Sequence, residues 1–80
     1  MTEFARNLLN SPYVRIVALD RNGERFLGVY TDLSIWGYVF DFDWNLVYTV
    51  PYETNAYGGF VTMKPEVFTK HGYTFTESAI

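Results

Sequence analysis

A chain of 80 residues is one domain at most, and its complete lack of cysteine excludes disulfides and thiolate metal sites. Hydrophobic residues make up 49% of it and aromatics 20%, so a few large rings, each removing roughly 150–250 Å² from water, must build the core. The net charge of −3 is uneven: residues 1–25 carry +1, residues 26–63 carry −4 with no lysine or arginine, and residues 64–80 balance. An acidic middle argues against direct nucleic-acid binding, which needs clustered basic side chains.

The start, MTEFARNLL, has an acid at position 3 and no long apolar run, so no secretory signal is expected. No stretch of about 18 apolar residues offers a membrane span. The expected location is the cytoplasm.

Thr2 is placed to cap a short helix over 3–9, in which Phe4 and Leu8, and Ala5 and Leu9, share an apolar side. Asn10-Ser11-Pro12 stops it. YVRIVAL (13–19) is β-branched and predicts a strand; Asn22-Gly23 predicts a tight turn, and RFLGVYT (25–31) the returning strand. Asp32-Leu33-Ser34 is a link. IWGYVFDFD (35–43) predicts a third strand, LVYTV (46–50) a fourth ended by Pro51, and FVTM (60–63) a fifth, after the loop PYETNAYGG (51–59). Pro65 opens a second helix near 65–71, with Glu66 and Lys70 spaced to pair and Gly72 just past the end. YTFT (73–76) predicts a last strand, and the ESAI tail is expected to be loose. The expected fold is α+β: a small antiparallel, meander-like sheet of four to six strands with two short helices.

Few motifs carry chemistry. Asp41-Phe42-Asp43-Trp44-Asn45 has the spacing of the first half of a calcium loop. Counted from Asp41, however, position 6 is Leu46 where glycine is needed, and position 12 is Tyr52 where a bidentate glutamate is needed. A hairpin turn is the expected reading. Alternation along 35–44 places Trp36, Tyr38, Phe40, Phe42 and Trp44 on one side, with the middle of the stripe in the core and Trp44 exposed beside the turn. His71 is the single histidine, so no conventional multi-histidine metal site is expected. No nucleophile motif surrounds Ser11, Ser34 or Ser78, and Tyr57-Gly58-Gly59 lacks the lysine of a phosphate loop. No catalytic residue, cofactor or metal is expected.

These features point to a non-enzymatic, protein-binding module whose contact surface comprises Asp41, Asp43, Trp44, Tyr52, Glu53 and Tyr57. In size and in its acidic, aromatic-rich composition the chain resembles phage-encoded inhibitors of host machinery, including anti-CRISPR proteins. That resemblance is of size and composition and carries over no functional residue. It implies an inhibitor acting by surface occlusion on a basic, nucleic-acid-binding host protein, in the host cytoplasm. The alternative is a self-assembling structural protein, a homodimer through a sheet edge or the aromatic stripe.

Overall fold

The computed structural model describes residues 1–31 and 33–76; Asp32 of the expected link and the ESAI tail lie outside them. Helix α1 spans Glu3–Leu9, and the Ala5 N–H donates to the Thr2 hydroxyl at 3.2 Å, as the capping residue predicts. Strands β1 (Val14–Arg21) and β2 (Glu24–Thr31) form a long hairpin. Its turn is Asn22-Gly23, both at positive φ (55° and 83°), the conformation that matches the right-handed strand twist. Strands β3 (Gly37–Phe40) and β4 (Leu46–Val50) continue the meander, and β7 (Thr74–Phe75) pairs with β1. The antiparallel sheet is five-stranded, ordered β4-β3-β2-β1-β7.

Two predicted strands differ. FVTM joins no main sheet: β6 (Phe60–Val61) pairs with β5 (Glu53–Thr54) in a separate two-stranded sheet, so the loop 51–59 is itself a hairpin. The predicted strand 35–43 is only Gly37–Phe40. At its start the Trp36 N–H turns back to the Ser34 hydroxyl at 3.0 Å, and at its end Asp41 opens a turn.

Both faces of the sheet are covered, which explains why β2, the central strand, is buried from Leu27 to Thr31 without alternation. On one face α1 lays Ala5, Leu8 and Leu9 over Val14, Ile16, Leu27, Val29 and Phe40. Phe4 meets Tyr38 edge to face at 5.1 Å. On the other face α2 (Glu66–Lys70) drives Val67 and Phe68 onto Leu19, Tyr30, Val39 and Val50. Gly72 (φ 91°) ends α2 as predicted, with the Tyr73 N–H returning to the Phe68 carbonyl at 3.2 Å. Lys70 does not pair with Glu66; its ammonium reaches Glu53 at 3.0 Å and ties α2 to the small sheet. No helix among the described residues is long and apolar enough to cross a membrane.

Phe68 is fully buried because the sheet makes room for it. A Cβ on Gly28 would lie 2.9 Å from the Phe68 ring and 2.8 Å from Leu19, and one on Gly37 would lie 3.3 Å from the ring and 2.5 Å from Met63. The two glycines sit on adjacent strands and form a hollow under the ring. Gly28→Ala forces overpacking there and is expected to cost about 1–3 kcal/mol. Urea unfolding of the variant measures it, and an unchanged midpoint would contradict the hollow.

Candidate interaction surface

Strand β4 is an edge: no strand pairs with its outer side among the described residues. Leu46, Val47, Tyr48 and Thr49 are all exposed, and only Val50 is buried. The strand has no charge and no proline within it. Edge strands ordinarily carry such features to prevent pairing with other chains. A register shift opposite Val39 and Phe40 puts a bulge into the strand near Val47.

One five-residue turn precedes this strand in the chain, and a second follows beyond β5. Asp41 organises the first, the β3–β4 turn. Its N–H donates to the Asn45 carbonyl at 3.0 Å, and its Oδ1 accepts from the N–H groups of Asn45 and Asp43, each at 2.9 Å. Asn45 Nδ2 donates to Oδ2 at 3.1 Å. Held this way, the Asp41 carboxylate serves its own turn, as the hairpin reading expects. No cluster of three metal-ligating side chains occurs among the described residues.

Asn55 builds the same turn between β5 and β6. Its N–H donates to the Gly59 carbonyl at 2.8 Å, and its Oδ1 accepts from Tyr57 N–H at 2.9 Å and Gly59 N–H at 3.0 Å. In both turns the fourth residue has positive φ: Gly58 at 83° and Trp44 at 64°. For a side-chain-bearing residue that conformation costs roughly 1–2 kcal/mol. Trp44 is held there by its ring, 5.5 Å from Phe40 and packed into the α1-side cluster.

The six residues expected to share one surface therefore separate. Asp41, Asp43 and Trp44 lie in the first turn. Tyr52 and Glu53 follow the opposite end of β4, about 17 Å away for a five-residue strand, and Tyr57 lies in the β5–β6 turn. Trp44 is half-buried, and Phe42 beside it is the exposed ring of that turn. Glu53 is ion-paired with Lys70. The Asp43 carboxylate has no partner among the described residues. The predicted aromatic stripe also divides: Tyr38 and Phe40 are packed under α1, but Trp36 meets Tyr52 edge to face at 5.4 Å, and Tyr52 meets Phe60 at 4.8 Å. Tyr57, in the β5–β6 turn, is 97% exposed.

A cleft of about 300 Å³ opens on the α2 face beside β4, where β3 has ended. Phe26, Tyr48 and Tyr73 line it, with Arg21 and Glu24 at the β1–β2 turn. The Tyr48 hydroxyl and His71 Nδ1 are hydrogen-bonded at 3.3 Å beside it. Sequence reasoning missed this site because its members lie up to 52 positions apart, as Arg21 and Tyr73 do. The edge strand did have a signal, an uncharged β-branched run stopped by proline. Compared with known protein families, curated proteins and solved structures, the chain has no significant match.

Two expectations test the turns. Hydrogen bonds from the Asn45 backbone N–H, then from its side chain, hold the Asp41 carboxyl below the ordinary aspartate value. A carboxyl lowered by folding stabilises the fold above its unfolded value, about 3.9, and that contribution is lost as pH falls through the lowered value. Asn55 makes the equivalent bonds with a neutral amide, so Asp41→Asn is expected to fold and to lose this acid-side dependence, read from unfolding midpoints between about pH 5 and pH 2. Second, Trp44→Gly relieves the strained backbone that Trp44→Ala retains. The glycine variant is expected to be the more stable by about 1 kcal/mol in thermal unfolding.

Proposed function

We propose that this chain is a non-enzymatic protein-binding module that acts by occupying a partner's surface. The observation that carries the reading is the open, uncharged edge of β4, with four exposed residues in succession. An extended segment of a partner would add to this edge through main-chain hydrogen bonds, the mode known as strand addition. Exposed aromatic rings occur on both sides of the strand in the chain: Phe42 in the first turn, Tyr57 in the second, and Tyr52 between Trp36 and Phe60. Tryptophan and tyrosine dominate the anchoring residues of protein interfaces. The chain's net charge of −3 and the unpartnered Asp43 at the turn suit a basic partner, since opposite charge speeds encounter. This is the working mode of a small occluding inhibitor, and a basic nucleic-acid-binding host protein is the target class we assign to it.

The same edge supports one other reading. Two copies of β4 related by a two-fold axis would pair antiparallel, burying their own exposed edges as a homodimer.

Leu46→Lys with Thr49→Lys places two charges on the edge without touching the buried core. Sedimentation of the wild type across a hundredfold range of concentration separates the readings. A monomer supports partner binding, and a dimer that the double variant dissolves assigns the edge to self-pairing. For a monomer, the partner is isolated from the source cell or its infected host. The double variant is then expected to bind it at least tenfold more weakly, with stability within about 0.5 kcal/mol of wild type. Undiminished affinity would remove β4 from the interface.

A further inference from the structure

The cleft shares Val47 and Tyr48 with β4 but carries a separate reading. Its apolar walls are three rings: Phe26 and Tyr73 meet edge to face at 5.8 Å, and Tyr48 and Tyr73 lie 6.4 Å apart. About 300 Å³ is at the small end of ligand pockets. Arg21 and Glu24 are directly opposite each other on β1 and β2, and both line the cleft. Opposite charges in that position commonly pair. These two do not: Arg21 lies over the Tyr73 ring, its guanidinium carbon 5.2 Å from the centroid, and gives one N–H to the Tyr73 hydroxyl at 3.4 Å. A guanidinium has five N–H donors. The remaining donors of Arg21, and the Glu24 carboxylate, have no partner among the described residues.

The cleft thus offers a fixed cation, an unspent anion and an aromatic lining. A simple anion would meet Glu24, and a simple cation would meet Arg21, which already covers a face of Tyr73. A ligand carrying both charges on a planar body meets neither objection. We infer that this cleft binds a zwitterionic aromatic ligand the size of one amino acid. Its carboxylate lies on Arg21, its ammonium on Glu24, and its ring against Phe26 and Tyr48, with the buried Tyr73 beneath. The Tyr73 contact holds the guanidinium in place beforehand, so less freedom is lost on binding.

Amide chemical shifts of the full chain, titrated with L-phenylalanine, N-acetyl-L-phenylalanine and phenethylamine, test this. L-phenylalanine is expected to give saturating shifts at residues 21–26, 47–48 and 72–74. Each analogue, lacking one charge, is expected to bind about threefold or more weakly, the effect of one exposed ion pair. Arg21→Gln should erase the preference over phenethylamine, and Glu24→Gln the preference over the acetylated compound. Both substitutions are at exposed positions, so the fold is retained. Absence of saturating shifts, or equal affinity for all three compounds, would overturn the assignment. Neither result depends on whether β4 binds a protein.

Discussion

The seating of Phe68 over Gly28 and Gly37 is the contact on which the rest of the molecule depends. A glycine within a strand weakens it by roughly 0.5–1 kcal/mol. Two glycines cost about 1–2 kcal/mol, which full burial of a phenylalanine, about 1.5–3 kcal/mol, offsets once the ring fills the hollow. The ring also positions the chain on both sides of itself. Met63 lies against the same hollow, with its N–H bonded to the Ser34 carbonyl at 2.7 Å. Tyr73, hydrogen-bonded back to Phe68, leads directly into β7 at the far edge. One aromatic residue thus locates the small sheet, the second helix and the last strand against a meander that local turns have already built.

The two five-residue turns are one backbone solution reached with different letters. Asp41 and Asn55 supply the same side-chain oxygen to the same two N–H groups. They differ in the fourth residue. Gly58 takes the left-handed conformation freely and leaves Tyr57 standing in solvent, whereas Trp44 is strained into it and anchors its turn to the core. One turn is therefore braced against the core, and the other presents its ring freely.

The elements defined by short-range chemistry were legible in the sequence. Thr2 as a cap, Asn22-Gly23 as a turn and Gly72 as a helix stop each act through the backbone within a few residues, and each holds in the structure. Legibility failed where a distant partner decides. Alternation along 35–44 runs on through Phe42 and Trp44 although Asp41 has already ended the strand, because a turn also permits aromatics. Phe60 and Val61 have the composition of a sheet strand, but a two-residue pairing with Glu53 and Thr54 has no periodicity to reveal it. Within the acidic middle, Glu53 is paired with Lys70, which is 17 positions away. The site residues were read as a group because they are near in sequence, and the length of β4 separates them.

The bulge near Val47 bears on a different hazard, uncontrolled self-association. Leu46 to Val50 is an uncharged, β-prone run, the composition from which cross-β fibrils grow by stacking flat strands. Here the register shift bends the edge out of flatness. Asp43 and Pro51 bracket the run as gatekeepers, one by charge and the other by its missing N–H. The bulged edge is poorly shaped for an unlimited stack of copies.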